Sequence, residues 1–329
     1  MPVHNAGSWL GSSIVDILGQ EDVSTRLWLI DDQSNDGAVG DSLSHLSDDQ
    51  RQQVHVITME RRSGVARALE AGRTAAMNAG ARLIGRMDAD DRCQPDRFRA
   101  LIRALLEHPN WSAVGSQVEG FPNNRVTPAM SRYLRWMNAI DDPSEIRNAQ
   151  FLETPLLHAT CLFRADALEE VGGWRPTAWS EDTDLWCRFH QHGKVAAKVK
   201  RILYQWRQHP DQETRRSATC SREQLVLGRA HHLCSWLRTN HQGHLQLVGT
   251  GKSLSLWHQS IVKIDCGIPI RVIEWNARVA RSQHQEQAPQ LQREGVAVFV
   301  AGSHSVRNQV RRLLPSWAMD EGKRLWFVA

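Results

Sequence analysis

Three aspartates, Asp88, Asp90 and Asp91, stand in the stretch GRMDADDRCQPDR at the end of an apolar run. Carboxylates this close repel one another, so a cation, a helix terminus or solvent must compensate their charge. Residues i and i+2 of an extended segment point to the same side, which directs Asp88 and Asp90 into one cleft. Oxygen ligands suit Mg²⁺ or Mn²⁺, which fill their other positions with water and substrate phosphates. These acids alone favour a metal–phosphate site and a structural role about equally.

Two alternatives for the cluster can be weighed from its neighbours. An EF-hand calcium loop is excluded, because Arg92 and Cys93 stand where an acid or amide and a glycine are required. A helix cap stays open for Asp91 or Asp96, since both lie close to Pro95, which is expected to begin the next helix.

The elements around these acids follow an alternating order. The segments RLWLIDD, VHVITME and ARLIGRMDADD read as buried strands, and SGVARALEAGRTAAMNAG has the three- and four-residue apolar spacing of a helix that ends at Gly80. Strands separated by helices predict an α/β protein with parallel strands. Ligands of such sheets gather at the carboxyl ends of the strands, where Asp31–Asp32 and Asp88–Asp91 both fall.

Composition excludes several classes of function. No segment has the roughly 20 apolar residues of a membrane span, and the N-terminus lacks a secretory signal, so we expect a soluble protein. The six cysteines show no metal-binding spacing and are expected to be reduced and mostly buried. A net charge of +4 without a basic run argues against nucleic-acid binding.

A series of motifs is more specific than the acids alone. PVHNAG, LIDDQSNDG, RSGVARALEAG, RMDADD, HATCLFRADALEEVGGWR and SEDTDLWCRF follow one another over residues 1 to about 216. This series resembles the family 2 glycosyltransferases, and RYLRWMNA and FLETPLLHATCLF are similar to a bacterial subgroup of that family. The resemblance implies a GT-A nucleotide-binding fold and transfer of a sugar from a nucleoside-diphosphate donor.

The resemblance implies roles for the residues of the donor site. His4 stands where the family usually has tyrosine, and Asp88 would contact the ribose or a metal-bound water. Asp90 would be the direct ligand of Mg²⁺ or Mn²⁺, with Asp88 and His209 as the further metal residues. Together, the implied nucleotide-sugar contacts are Pro2, His4, Asn5, Asp32, Gly64, Arg67, Asp88 and Arg207.

The resemblance also implies the chemistry of transfer. Asp182 matches the family's general base, which removes the proton of the attacking acceptor hydroxyl, and the like charge of Glu181 tends to raise one of the two carboxyl pKa values. Without the resemblance, both acids read as the start of a helix capped by Ser180. His158 and Trp179 are acceptor-site candidates for which core packing is equally favoured.

The resemblance implies a metal-dependent reaction with inversion. The absence of the QxxRW signature of processive members favours transfer of a single sugar. A UDP-sugar is the favoured donor, and a glycan or lipid-linked hydroxyl in cell-envelope polysaccharide synthesis is the expected acceptor. The expected location is the cytoplasm, with peripheral contact at the inner face of the membrane left open. Met1 immediately precedes Pro2, so either the first strand is cut short or translation begins upstream.

The C-terminal part has a different pattern. We predict a GT-A domain over residues 1–216, a linking helix over 217–242 and a small Rossmann-like domain over 243–329. Its glycine motif is incomplete, because Leu254 replaces the third glycine, and Glu274 and Asn276 are weak candidates for ribose contacts. An interaction or regulatory role is favoured over dinucleotide chemistry.

The sequence disfavours two other functions. A sugar nucleotidyltransferase would require a glycine- and basic-rich phosphate loop at the N-terminus, which PVHNAGSWLG does not provide. A catalytically idle nucleotide-sugar-binding module would lack the base or the DxD motif, and both are present.

Overall fold

The computed structural model describes residues 1–240, 243–276 and 288–329. Its internal contacts divide the chain into two compact units. The predicted linking helix over 217–242 ends at residues 241–242, which lie outside the described ranges. The stretch 277–287 of the predicted C-terminal domain also lies outside them. The first unit consists of Met1–Ile146, Pro155–Thr177 and Arg188–Arg216, and the second of Arg147–Thr154, Ala178–Cys187 and Ser217–Ala329.

The first unit contains two β-sheets. One is a parallel sheet of order β1-β2-β3, and the other is a mixed sheet of order β4-β7-β6-β8-β5, in which only β6 and β8 are parallel neighbours. The three strands predicted from sequence are confirmed as β2, β3 and β4, but only β2 is buried as predicted. Strands β3 and β4 lie at sheet edges, and their residues are exposed or half-buried. In chain order the strands are β1 (Pro2–Val3), β2 (Leu27–Asp31), β3 (Val54–Thr58), β4 (Leu83–Gly85), β5 (Arg92–Cys93), β6 (Trp111–Phe121), β7 (Leu162–Arg164) and β8 (Val195–Arg207).

Helices alternate with these strands along the chain. The longest in the first unit, Val65–Asn78, buries Ala68, Leu69 and Ala76 on one face, as its apolar spacing predicts. Gly80 follows its end at φ +83°, the left-handed conformation that suits glycine. The helices are α1 (Leu10–Leu18), α2 (Ala38–Ser44), α3 (Asp48–Gln52), α4 (Val65–Asn78), α5 (Arg97–Glu107), α6 (Pro128–Ala139), α7 (Pro143–Ala149), α8 (Ala165–Glu170), α9 (Glu181–Gln191) and α10 (Glu213–Arg216).

Helix α5 begins two residues later than predicted. Asp96 precedes its first residue, but the Asp96 side chain makes no capping hydrogen bond and instead contacts Arg201 at 2.8 Å. Asp91 does not cap this helix either, because its carboxylate bonds to Tyr204 and Arg207. Asp96 therefore stands at the predicted N-cap position without capping the helix through its side chain, and the capping alternative is wrong for Asp91.

The second unit is built on a parallel sheet of order β10-β9-β11-β12, in which the first strand in sequence lies inside the sheet. The long helix predicted between the two regions is confirmed, and it is buried against α12 and the sheet through Val226, Leu233 and Leu237. The elements are α11 (Arg222–Asn240), β9 (Leu245–Gly249), α12 (Gly251–Ile264), β10 (Ile270–Glu274), β11 (Val296–Val300), α13 (His304–Leu313) and β12 (Leu325–Val328).

The division into units differs in one respect from the predicted domains. The first unit ends at Arg216, where the sequence places the boundary, but residues 147–154 and 178–187 belong to the second unit. The domain ranges themselves stay a prediction. Five of the six cysteines are buried, as predicted, and Cys220 is half-buried. In the part of the chain that the structure describes, no helix has both the length and the apolar character to cross a bilayer.

Candidate functional site

A cavity of about 820 Å³ opens in the first unit. Its walls come from the segments that directly follow β1, β2, β4 and β8, together with the beginning of α4. This is the carboxyl-end location at which α/β sheets bind ligands. Eight residues that the sequence singles out line it, namely Pro2, His4, Asn5, Asp32, Gly64, Asp88, Asp90 and His209.

The carboxylate of Asp32 holds one wall of the cavity in place. Its two oxygens accept hydrogen bonds from the backbone N–H groups of Ser63 and Gly64, at 2.6 and 2.8 Å. Gly64 has φ +85°, a conformation that side chains rarely adopt, so glycine is required at this turn into α4. Asp32 therefore fixes the loop that leads into α4.

The segment that follows β1 forms the adjoining wall of the cavity. The ring of His4 donates from Nδ1 to the backbone carbonyl of Asp32 at 2.8 Å, which assigns the proton of a neutral ring to Nδ1. Asn5 accepts from the backbone N–H of Asn35 through its side-chain oxygen at 2.8 Å. These bonds tie the loop after β1 to the loop after β2, so two chain segments share one rigid rim.

Asp91 is buried beneath the cavity, only 1% exposed. Its Oδ1 accepts from the backbone N–H of Arg207, and its Oδ2 accepts from the hydroxyl of Tyr204, both at 2.7 Å. Burial raises the pKa of Asp91 well above its ordinary value, and the charges of Asp90 and Asp88 act in the same direction. Asp91 thus anchors the end of β8 beside the acidic cluster.

Asp90 and His209 meet at the cavity surface. The Nε2 of His209 lies 2.8 Å from Oδ2 of Asp90, although 119 residues separate them in the chain. The ring of Trp9 covers the imidazole, with ring centroids 4.5 Å apart. A carboxylate and an imidazole therefore meet at the cavity, and an aromatic ring packs against the imidazole.

Arg207 lies behind this pair, outside the cavity lining. Its guanidinium stacks between the rings of Trp9 and Phe121, at 5.1 and 4.4 Å from their centroids, and its Nε donates to the backbone carbonyl of Asp90. Cation–π contacts of this kind contribute about 0.5–2 kcal/mol. The Arg207 side chain fixes the backbone of the acidic loop.

Asp88 is the remaining aspartate of the cluster. It forms an ion pair with Arg86, whose Nη2 donates to Nε2 of His158 at 3.0 Å. Burial raises the pKa of Asp88 and the Arg86 charge opposes that shift.

Burial, assisted by the Arg86 charge, lowers the pKa of His158 well below 6.5, so its ring is neutral near pH 7. His158 packs within the first unit and is 5% exposed.

Buried arginines compensate the three aspartates. Arg97 is fully buried below the acidic loop, where its Nη2 donates to the carbonyls of Arg86 and Ala159 at 2.6 and 2.8 Å. Its guanidinium also lies 4.9 Å from the ring centroid of Tyr204. Together with Arg86 and Arg207, this cation supplies positive charge around carboxylates that would otherwise repel one another.

Residues missed from the sequence also shape the site. Trp9, Arg62 and Arg216 line the cavity, whereas the predicted Arg67 does not. The doublet Arg61–Arg62 was visible in sequence only as surface charge. No sequence signal places Trp9 on His209, because the contact joins residues 200 positions apart.

Asp182 belongs to the second unit. Its Oδ1 accepts hydrogen bonds from the hydroxyl of Ser180 and the backbone N–H of Thr183, both at 2.6 Å. Ser180 and Thr183 are buried, while Asp182 and Glu181 are partly exposed. One oxygen of the Asp182 carboxylate is therefore fixed by the protein, and this orients the second.

The donor atoms of Asp90 and His209 fit a divalent cation of the Mg²⁺ or Mn²⁺ type. Two neighbouring ligands of an octahedral cation lie about 3 Å apart, because each bond is about 2.1 Å, and the observed separation is 2.8 Å. No group of three His, Cys, Asp or Glu side chains suited to a metal occurs within the described ranges. Such a cation would therefore complete its shell with phosphate and water.

The fold and this site define an α/β protein that presents acids and a carboxylate–imidazole pair in a cleft at the ends of its strands. The family model for glycosyl transferase family 2 matches residues 1–172, just over half of the chain. The chain belongs to this family, as its motifs predict, and the family assignment favours a glycosyltransferase over a sugar nucleotidyltransferase.

Individual proteins agree with this assignment. "Putative glycosyltransferase EpsE" of Bacillus subtilis (strain 168) is 28% identical over 69% of this chain and 78% of its own length. "Amylovoran biosynthesis glycosyltransferase AmsE" of Erwinia amylovora is 26% identical over 49% of this chain and 57% of its own. Among solved structures, S. aureus TarS in complex with UDP has a TM-score of 0.53 at 13% identity, covering 80% of this chain and 68% of that one. This structural likeness confirms the predicted nucleotide-sugar transferase (GT-A) fold.

Proposed function

We propose that the enzyme binds a UDP-sugar in the cavity of the first unit and transfers the sugar, with inversion, to a glycan or lipid-linked hydroxyl. The observation that carries the proposal is the convergence on one cavity of the fixed Asp32–Gly64 wall and the Asp90–His209 pair. One side offers backbone and aromatic surface to a nucleoside, and the other offers a cation site to a diphosphate.

The nucleoside part of the donor would lie against the rim formed after β1 and β2. Pro2, His4 and Asn5 line the cavity there, and Asp32 with Gly64 closes it. Because both Asp32 oxygens already accept backbone N–H groups, any bond to the base would use their remaining lone pairs. Arg62 adds positive charge to the lining, which favours a diphosphate, whereas the charge of Arg216 is paired with Asp211 in the same lining.

The diphosphate would be bound through Mg²⁺ or Mn²⁺ held by Asp90 and His209. When bound, the cation neutralises the charge that develops on the leaving nucleoside diphosphate. Asp91 and Arg207 keep the two ligand-bearing segments together. Asp88, which is paired with Arg86, would contact the ribose or a water of the cation.

Asp182 would act as the general base, with Glu181 beside it. In the transfer step Asp182 takes the proton of the acceptor hydroxyl as its oxygen forms a bond to the anomeric carbon. The bond from that carbon to the diphosphate oxygen breaks with its electron pair, and the nucleoside diphosphate leaves. The hydrogen bonds from Ser180 and Thr183 to one Asp182 oxygen support this role, because they orient the other oxygen.

The acceptor class is drawn from the relatives. AmsE is named for amylovoran biosynthesis, and EpsE is named as a glycosyltransferase. We propose a growing bacterial envelope glycan, free or lipid-linked, and a cytoplasmic enzyme that contacts the inner face of the membrane when the acceptor is lipid-bound.

A thermal-shift panel tests the proposal. UDP-glucose, UDP-galactose, UDP-N-acetylglucosamine, UDP-N-acetylgalactosamine and GDP-mannose are compared with and without Mn²⁺. We expect one UDP-sugar to raise the melting temperature in Mn²⁺ and to have a much smaller effect in EDTA. Equal shifts with and without Mn²⁺ would contradict the metal assignment, and a shift only with GDP-mannose would contradict the UDP assignment.

A further inference from the structure

Helix α11 of the second unit contacts the segment that carries Asp182. Three residues on one face of this helix, Gly228, His231 and His232, follow the spacing i, i+3 and i+4. Their contacts are with Trp179 and Asp184, which stand on either side of Asp182. Both partners and the helix belong to the same compact unit.

The contact with Trp179 is one of close packing. A Cβ atom added at Gly228 would lie 2.4 Å from Cγ of Trp179, so only glycine lets the indole approach the helix this closely. The rings of His231 and His232 complete the site, at 5.2 and 6.1 Å from the indole. Packing against α11 therefore fixes the position of Trp179, which directly precedes Ser180.

The contact with Asp184 is a buried hydrogen bond. Nε2 of His232 lies 3.0 Å from Oδ1 of Asp184, and the two side chains are 5% and 6% exposed. A buried carboxylate that loses a hydrogen-bond donor carries a desolvation cost, so this bond favours one position for the first turn of α9. Asp182 lies in that same turn, two residues before Asp184.

We infer that His232 and Gly228 are positioning residues for Asp182, so that helix α11 fixes the segment that carries the proposed base. The inference rests on the proposed role of Asp182 as the base. Neither residue touches the reacting atoms in this scheme. They act by fixing the backbone on both sides of Asp182, through Trp179 and Asp184, while Ser180 and Thr183 orient its carboxylate.

The first test measures positioning without catalysis. Hydrogen exchange of the peptide spanning residues 178–187 is compared in the full chain, in His232→Leu and in His232→Gln. Leucine removes the donor to Asp184, whereas glutamine can present an amide N–H at the position of Nε2. We expect at least tenfold faster exchange in His232→Leu and close to wild-type exchange in His232→Gln. Equal exchange in all three proteins would overturn the inference.

The second test measures UDP release, with water as the acceptor, from the UDP-sugar panel in Mn²⁺. We expect His232→Leu and Gly228→Ala to lower kcat about tenfold, with the donor KM and the affinity for UDP unchanged. In the Asp182→Asn background the same substitutions should cause no further loss, because residues that act as a unit are non-additive. A further tenfold loss in that background would overturn the inference.

The kinetic results distinguish a failure of the Asp182 base assignment from a failure of the positioning role. If Asp182→Asn alone releases UDP at the wild-type rate, the proposed function of Asp182 fails and the inference falls with it. If Asp182→Asn is impaired while His232→Leu and Gly228→Ala are not, only the positioning role is overturned.

Discussion

The carboxylate of Asp91 accepts a hydrogen bond from the backbone N–H of Arg207 at 2.7 Å, across 116 residues of chain. This contact gives the third aspartate of the cluster its role. Asp91 lies beneath the cavity and binds the end of β8, which delivers His209 to Asp90 two residues later. The acidic cluster is thus one acid beside His209 at the proposed cation site, one acid paired with arginine and one buried anchor.

Replacing the anchor should weaken donor binding. Asp91→Ala leaves the Tyr204 hydroxyl and the Arg207 N–H without their acceptor, so we expect a loss of about 2–4 kcal/mol in the free energy of unfolding. We also expect at least tenfold weaker Mn²⁺-dependent UDP binding, measured by calorimetry below the melting temperature. Tyr204→Phe removes one of the two bonds and should show a smaller effect, about 1 kcal/mol. Wild-type UDP affinity in Asp91→Ala would show that the anchor does not serve the site.

The ring of Trp9, which packs against His209, provides a second prediction. Trp9→Leu removes the ring contacts to His209 and Arg207, each of about 0.5–1.5 kcal/mol, and should weaken Mn²⁺-dependent UDP binding roughly 3–10-fold. Trp9→Phe keeps an aromatic face and should lose less. Trp111 also stacks on a histidine but does not line the cavity, so Trp111→Leu is the matched control. An equal loss in Trp9→Leu and Trp111→Leu would contradict the specific role of Trp9.

The general base can be separated from donor binding. Asp182→Asn keeps the shape of the side chain but cannot take a proton, so transfer should fall about 10²–10⁴-fold. UDP affinity should stay within twofold of the wild type, because Asp182 is not among the residues that line the donor cavity. The comparison variant is Glu181→Gln, for which we expect a smaller loss. Full transferase activity in Asp182→Asn would refute the base role.

Buried His158 predicts a pH dependence of stability. Its pKa in the folded protein lies well below the ordinary 6.5, so on acidification the unfolded chain takes up a proton that the folded chain does not. Stability from this group is therefore lost as pH falls from about 6.5 toward the lowered pKa, by up to about 1.4 kcal/mol per pH unit.

Urea unfolding of the wild type and His158→Gln at pH 7, 6 and 5 measures this contribution. Glutamine can still accept the hydrogen bond from Arg86 but does not titrate. The stability of the variant should fall less steeply with decreasing pH than that of the wild type. Parallel pH profiles for the two proteins would show that His158 is not held neutral by burial.

Local patterns in the sequence predicted the elements that carry the site. The apolar spacing of α4 and the glycine at its end reported the helix correctly, because both depend on neighbours within a few residues. The acids after β2 and β4 were placed at strand ends for the same reason. Family motifs then brought Asp32, Asp90 and His209 together, and the cavity contains all three.

The contacts that hold the site were not predictable in this way. The partners of Asp91 are Tyr204 and Arg207, and Trp9 meets His209, so each contact joins distant parts of the chain. Neither periodicity nor a motif encodes such tertiary pairs. The mixed sheet of the first unit was also missed, because β7 enters it antiparallel between β4 and β6 and the alternating pattern predicts parallel strands.

The central claim is that Asp90 and His209 form a cation site for a nucleoside diphosphate, and calorimetry of UDP binding to Asp90→Ala tests it most directly. UDP is titrated into the wild type, Asp90→Ala and the exposed-acid control Glu145→Ala, each in Mn²⁺ and in EDTA. We predict that Mn²⁺ strengthens UDP binding at least tenfold in the wild type and in Glu145→Ala. Asp90→Ala should remain folded and lose this gain. An unchanged Mn²⁺-dependent affinity for UDP in Asp90→Ala would contradict the account.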